Sequence, residues 1–326
     1  MEVRAKKSLG QHFLVDLGAA QRIVAALAAE GGGTCPATGR QVKQDFPEIQ
    51  EVASQPRPDL SACSRTGAKR DVLEIGPGMG VLTRYLLQRP ELNLKMVELD
   101  GESVQFLRSH FSGMDGRLLQ ADYLKLDVHK VFPGEYSVIG NFPYNISSQI
   151  FFKILDDRDR VPEVVCMIQK EVAERIAEGP GSKTYGILSV LLQAWYDIEY
   201  LFTVEPGAFA PPPKVRSAVI RLRRNSRTEL LARPVTLQAH RCEGLAPTCD
   251  ATGPQVEGVS VDEALFRKVV KTAFGQRRKT LRNALRQILP ADYDLSEPTL
   301  QQRAEQLGVD DFIALAARIA PGARIS

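Results

Sequence analysis

The chain has 326 residues, 44% of them hydrophobic and 25% charged, with 42 Lys and Arg against 39 Asp and Glu. That length accommodates two domains of ordinary size, and the composition excludes a fibrous or wholly disordered chain. The five cysteines form no Cys-x-x-Cys pair, which argues against a disulfide framework or a zinc site, and no run of 18 apolar residues is available to span a membrane.

The first helical pattern covers residues 19–30, with Ile23, Val24 and Leu27 on one face. Residues 31–69 follow, with Gly-Gly-Gly, several prolines and no sustained apolar period, and read as an inserted loop. Residues 71–75 predict a short buried strand ending at Gly76, and 81–88 a helix. A second strand is expected at 94–99, a helix at 103–111 and a third strand at 117–120. The fourth strand, 136–139, ends just before Asn141, and 146–155 is helical. A fifth strand at 164–169 leads into a helix at 171–178. Strands alternating with helices imply an α/β fold with a parallel, doubly wound sheet of Rossmann-like type, whose ligands sit at the carboxyl ends of the strands.

Residues 225–260 resemble the first loop in character and read as an insert or linker. Cys35, Cys63, Cys242 and Cys249 lie in these two loops, so no metal is expected. From 261 onward the pattern is helical. Residues 264–289 carry an apolar stripe of Phe266, Val269, Val270, Ala273 and Phe274, continued by Leu281, Leu285 and Ile288; 299–307 and 311–319 are shorter helices. The expected plan is a catalytic domain over 1–224, a linker over 225–260 and a small all-helical domain over 261–326. The basic residues 1–10 lack the apolar core of a signal peptide, so the expectation is a cytoplasmic monomer with no membrane partner.

Glu74-Ile75-Gly76-Pro77-Gly78-Met79-Gly80 joins the first strand to its helix. Glycines there let the backbone approach a ligand and adopt positive φ, and the helix start beyond them attracts an anionic group. A dinucleotide fingerprint needs a further Gly where Val81 stands, so that motif is incomplete. A tight turn without a ligand is the plainer alternative. Glu98 closes the second strand, 22 residues after Gly76, where a carboxylate accepts both hydroxyls of a ribose. Asp122 follows the third strand and can accept from the exocyclic amine of an adenine. Together these three strand ends describe an adenosine-shaped site, for S-adenosylmethionine or a nucleotide.

Gly140-Asn141-Phe142-Pro143-Tyr144 follows the fourth strand. Asn and Pro are ordinary turn residues, but the combination has a sharper chemical use. Adenine N6 is a poor nucleophile because its lone pair is delocalised into the ring. The Asn141 side-chain oxygen and the Pro143 carbonyl can each accept one N6–H, turning the lone pair towards a methyl donor and supporting positive charge on nitrogen. Phe142 or Tyr144 can stack on the base, which contributes about 1–3 kcal/mol.

That tetrapeptide, at this distance from the glycine loop, resembles the one in adenine-N6 methyltransferases. Lys7-Ser8-Leu9-Gly10-Gln11-His12-Phe13-Leu14 resembles the amino-terminal motif of the ribosomal RNA adenine N6-dimethyltransferase family, in its bacterial small-subunit branch. Gln169-Lys170-Glu171-Val172-Ala173 and Ser182-Lys183-Thr184-Tyr185-Gly186 resemble its middle segments. The stretch from Phe209 through Pro211-Pro212-Pro213-Lys214 to Val219 resembles its late signature, and Phe274-Gly275-Gln276-Arg277-Arg278-Lys279-Thr280-Leu281-Arg282-Asn283 its carboxyl-terminal part. The resemblance covers nearly the whole chain apart from the two loops.

It implies a class I methyltransferase fold and S-adenosylmethionine as methyl donor. The implied activity dimethylates two adjacent adenosines in the 3′-terminal hairpin of 16S rRNA during maturation of the 30S subunit. The implied donor-binding residues are His12, Leu14, Gly76, Gly78, Glu98, Asp122 and Asn141, and Phe209 would help hold the target base. His12 departs from the commoner Asn but can still donate a hydrogen bond, and Phe142 replaces a commoner Leu.

Residues 264–289 hold eight basic side chains and no Asp or Glu. One sign of charge without counter-charge points to phosphate contact. Arg278, Arg282 and Arg286 are expected four apart on one helical face, with Arg277 and Lys279 beside them, and Arg4, Lys6 and Lys7 add charge near the amino terminus. Two other readings share parts of this pattern: a methyltransferase of large-subunit rRNA of the antibiotic-resistance type, and a ribosome-assembly or transcription factor that only retains the fold.

Overall fold

The computed structural model describes residues 12–27, 69–232 and 259–320. The first predicted loop apart from Lys69, the middle of the second, Arg4, Lys6, Lys7, and the four loop cysteines all lie outside the described residues.

The elements run β1 (Phe13–Leu14), α1 (Leu17–Ala26), β2 (Arg70–Ile75), α2 (Thr83–Leu86), β3 (Leu92–Glu98), α3 (Gly101–His110), β4 (Leu118–Gln120), β5 (Ser137–Asn141), α4 (Ser147–Asp156), β6 (Glu163–Gln169), α5 (Lys170–Ala177), α6 (Ile187–Gln193), β7 (Tyr196–Val204), β8 (Phe209–Ala210), β9 (Ser217–Arg224), β10 (Leu231–Ala232), β11 (Val259–Ser260), α7 (Glu263–Gly275), α8 (Leu281–Ala284) and α9 (Val309–Ile319). Local chemistry starts several of the helices. The Asp16 carboxylate accepts the Ala19 N–H at the head of α1, and Asp100 accepts the Ser103 N–H and hydroxyl at the head of α3.

Seven strands form one sheet in the order β4-β3-β2-β5-β6-β9-β7. The five strands expected from sequence are there and mutually parallel. The chain starts in the middle at β2, moves outward through β3 and β4, then returns to β5 on the other side of β2. That reversal opens a crevice at the carboxyl ends of β2 and β5, which is where such folds bind ligands.

Two further strands extend the expected parallel set. β9 runs antiparallel to β6, and β7 antiparallel to β9, so the sheet is mixed. Both strands were legible: Tyr-Asp-Ile-Glu-Tyr alternates with period two, and Ser217–Arg224 carries a short apolar run that suits a strand buried on both sides.

Successive residues of a strand face opposite sides, and the core divides accordingly. Val72, Met96, Ile139 and Val165 pack with α1 and α3 on one side. Leu73, Val97, Val138 and Val164 pack on the other, with α4, α6, α7 and α9. The helical segment therefore shares an apolar core with the sheet. Arg158 and Arg267 add ion pairs across this junction, to Glu263 and Asp156 respectively.

The single long helix expected over 264–289 is instead broken. α7 stops at Gly275, turns follow, α8 is a four-residue helix, and Thr280 bridges to Arg303. Gly275 is the poorest helix former in that stretch, and the turn lets Leu281 and Leu285 reach the same core as Phe266 and Val270. The shorter helix expected at 299–307 resolves into two 3-10 turns. A two-stranded pairing of β10 with β11 closes the ends of the second loop.

Candidate active site

The glycine turn is built first. Gly76, Gly78 and Gly80 all have positive φ, at 67°, 56° and 74°. A Cβ on Gly78 would lie 3.1 Å from the Phe13 ring, so the strand β1 can cross the turn only because a glycine is there. β1 is itself held by antiparallel pairing with β8, Leu14 opposite Phe209 and Phe13 opposite Ala210. That pairing suspends His12 beside the sheet's carboxyl edge.

Gly140 has a second packing requirement. An added Cβ would sit 2.5 Å from the Ile75 carbonyl oxygen, so any side chain there forces β2 and β5 apart. Asn141 is thus the last residue of β5, lying next to the end of β2. Its Nδ2 donates to the His12 carbonyl at 3.0 Å. The amide orientation follows from that bond: the nitrogen is engaged, and Oδ1 remains as acceptor.

Glu98 is buried and accepts two backbone N–H groups, from Gly78 at 3.0 Å and Asp100 at 2.9 Å. Burial pushes its carboxyl above the ordinary range, against the pull of those two bonds. Each carboxylate oxygen still has a second lone pair for a ribose hydroxyl. Asp122 accepts the Leu124 N–H through Oδ1 at 2.9 Å, with Lys125 3.9 Å from Oδ2. The Pro143 carbonyl accepts the Ile146 N–H at 3.2 Å, which also leaves it one lone pair.

One cavity collects these groups, with about 1240 Å³ of empty space counted out to its open mouth. All ten residues put forward from sequence as catalytic or donor-binding line it. Backbone that can approach a ligand at Gly76 and Gly78, a buried carboxylate with spare lone pairs, and a second carboxylate at the neighbouring strand end together suit an adenosine-containing donor.

The aromatic and basic assignments need correction. Phe142 is 1% exposed and meets Phe151 edge-on at 5.9 Å, so its ring belongs to the core, whereas Tyr144 is half-buried along the cavity. Phe209 is 3% exposed within the core cluster of Leu14 and Val204, away from the cavity lining, so it anchors β1 and offers no face to a base. Arg277 is committed within the chain, to Glu305 at 2.8 Å and to the Ser182 and Lys183 carbonyls. Arg278, Lys279, Arg282 and Arg286 are exposed, on turns and the short α8 and not along one helix.

Glu74 is the lining residue that sequence reasoning passed over. It is fully buried, takes a 2.8 Å bond from the Thr83 hydroxyl, and its other oxygen has no partner among the described residues. A carboxylate between Leu73 and Ile75, in the apolar half of β2, was the available signal. Burial pushes its carboxyl up to about 8, opposed by the Thr83 bond and reinforced by the nearby Glu98. With the folded value raised from 4.5, its contribution to stability is complete below about 4.5 and is lost as pH rises through about 8. Glu74→Gln keeps the shape without the charge. Its melting temperature without donor is expected to exceed that of the parent by a margin that grows between pH 5 and 8, for a stability difference of at most ~5 kcal/mol. Melting curves of the two proteins that stay parallel across this pH range would refute the assignment.

The sequence matches the family described as ribosomal RNA adenine dimethylase over residues 2–232. The chain belongs to that family. It is 46% identical to the ribosomal RNA small subunit methyltransferase A of Parabacteroides distasonis, over 96% of this chain and 93% of that protein. Identity to the protein of the same name from Porphyromonas gingivalis is also 46%, over 97% of each. Among solved structures, a dimethyladenosine transferase from Plasmodium falciparum matches with a TM-score of 0.55 at 21% identity, covering 76% of this chain and 90% of the other, which supports the fold. This rRNA adenine dimethylase is accordingly an S-adenosylmethionine-dependent methyltransferase. Among the described residues of the dimethylase, no helix is long and apolar enough to cross a membrane.

Proposed function

We propose that the protein dimethylates N6 of two adjacent adenosines in the 3′-terminal hairpin of 16S rRNA, acting as a cytoplasmic monomer on the immature 30S subunit. Near full-length identity to proteins named for the small ribosomal subunit supports that choice of RNA. The observation that carries the chemistry is the Asn141 amide, whose nitrogen is engaged by the His12 carbonyl so that its oxygen serves as acceptor.

In this reading His12, Leu14, Gly76, Gly78, Glu98, Asp122 and Asn141 hold the donor. S-adenosylmethionine, when bound, supplies an electrophilic methyl on a good leaving group. Asn141 Oδ1 and the Pro143 carbonyl accept the two N6–H bonds and rotate the nitrogen lone pair out of conjugation. Both acceptors also stabilise the positive charge that grows on N6. Tyr144 stacks on the flipped base. The site needs no general base ahead of transfer, because the proton leaves N6 once the nitrogen has become cationic. The protein's main contribution is alignment of nitrogen with methyl. Arg278, Lys279, Arg282 and Arg286 grip the phosphate backbone while the target nucleotide is extruded, at a cost of a few kcal/mol; the helical segment over 261–326 is the RNA-binding part.

Mass spectrometry of rRNA from immature small subunits and from large subunits, each treated with enzyme and labelled donor, tests the choice of RNA. Two adjacent dimethyladenosines confined to the 3′-terminal fragment of 16S rRNA are expected. Label in large-subunit rRNA, or in neither, would overturn the proposal.

A further inference from the structure

Tyr144 is fixed from two directions, at its hydroxyl by Ser217 and on its ring by His12. Its hydroxyl lies 2.5 Å from the Ser217 Oγ. Ser217 is fully buried and is the first residue of β9, held in register against Gln169 of β6 and Val204 of β7. A hydroxyl in that position has no freedom to follow a moving ring. On the ring itself, the His12 imidazole stacks at 5.5 Å between centroids and 28° between planes. His12 is in turn tied down, because its Nδ1 lies 3.0 Å from the Pro211 carbonyl. A carbonyl can only accept, so Nδ1 carries the proton.

We infer that Ser217 is a positioning residue for methyl transfer: its hydroxyl sets the tilt of the Tyr144 ring, with His12 backing one face so that the other meets the target adenine. The inference rests on Tyr144 stacking on that base. Its physical content is orientational. A tyrosine on an exposed turn can swing about χ1 and χ2, and an adenine stacked on it swings with it. Misplacing the nucleophile by about 1 Å costs roughly a hundredfold in rate. Anchoring the far end of the ring to a central strand removes that freedom before the RNA arrives. A hydroxyl is suited to the task, since each partner both donates and accepts. The bond has no role in the proton chemistry of N6.

Five variants separate this role from its alternatives: Ser217→Ala, Tyr144→Phe, the double variant carrying both, Ser217→Thr and Tyr144→Ala. Each is measured by single-turnover methylation of small-subunit particles, together with donor affinity and melting temperature. Ser217→Ala and Tyr144→Phe are expected to slow the single-turnover rate by about five- to tenfold, as for loss of one hydrogen bond. Donor affinity should stay within about twofold, since neither change removes a group that touches the donor. The double variant should be no slower than the slower single one, because both changes break the same bond. Ser217→Thr, which keeps the hydroxyl, should restore most of the rate.

Parental rates in both single variants would overturn the positioning role. So would a double variant whose loss equals the product of the two single losses. Should Ser217→Ala prove poorly folded by its melting temperature, Tyr144→Phe carries the test alone, since it leaves β9 intact. Tyr144→Ala isolates the underlying reading. If it methylates at the parental rate, the ring does not stack on the base. If it fails while Tyr144→Phe is unaffected, stacking stands and only the role of Ser217 falls.

Discussion

Asn141→Ala is expected to slow single-turnover methyl transfer by roughly a hundred- to a thousandfold, the range for removing one preorganised partner of developing charge. Two losses coincide in this variant. The acceptor for an N6–H disappears, and the His12 carbonyl loses the N–H that ties the amino-terminal strand to the end of β5. Asn141→Asp divides them. It retains an acceptor, but it has no N–H for that carbonyl and places two acceptors face to face. Donor binding should therefore weaken in both variants, while the rate at saturating donor falls less in Asn141→Asp than in Asn141→Ala. RNA affinity should be unaltered in both variants, because Arg278, Lys279, Arg282 and Arg286 lie outside the cavity lining. Labelled-methyl incorporation beside filter binding of RNA measures the two properties separately. Turnover near the parental rate in Asn141→Ala would remove Asn141 from the chemistry.

The second large effect concerns the four exposed cations. Replacing Arg278, Lys279, Arg282 and Arg286 together by Gln should weaken rRNA binding roughly a hundredfold or more near physiological salt. The plot of log affinity against log salt should become shallower by about 3 to 4, close to one counterion for each phosphate that is no longer neutralised. Arg277→Gln should behave differently. Its guanidinium is engaged with Glu305 and two backbone carbonyls, so the change should lower the melting temperature and leave the salt slope nearly intact. An unchanged slope in the fourfold variant would show that RNA is held by another surface.

The same contrast separates what could be read from the chain from what could not. Charge density over 264–289 was visible in the sequence, but its geometry was not. Helical periodicity placed Arg278, Arg282 and Arg286 on one continuous face, whereas the chain breaks at Gly275 and presents them from turns and a four-residue helix. Periodicity reports which residues are apolar, and Leu281 and Leu285 are indeed buried. It does not report that the backbone must turn to bury them. Arg277 and Arg278 are indistinguishable as neighbours in sequence; only the approach of Glu305, 28 residues away, makes one structural and leaves the other exposed.

The cavity was more legible. Glycines at a strand end, acids at the next two strand ends and Asn141 at a fourth are local consequences of a doubly wound sheet, because parallel strands deliver their carboxyl ends to one edge. Eight of the ten catalytic and donor-binding candidates meet there for that reason, and His12 and Leu14 are brought in by the pairing of β1 with β8. Phe209 and Phe142 were misjudged because an aromatic beside a motif reads the same whether it faces a ligand or the core. Glu74 and Ser217 were missed because a polar residue beside an apolar run has no periodic signature that says what it meets.

By itself, then, the sequence determined the parallel half of the sheet, the glycine turn and the place of Asn141 at the end of the fourth strand, all fixed by short-range pattern and strand direction. Tertiary structure alone decided which way the Asn141 amide faces, which aromatic rings are buried in the core, and which cations remain exposed. Those outcomes depend on groups distant in the chain, His12 against Asn141 and Ser217 against Tyr144, which come within hydrogen-bonding distance only once the sheet has closed.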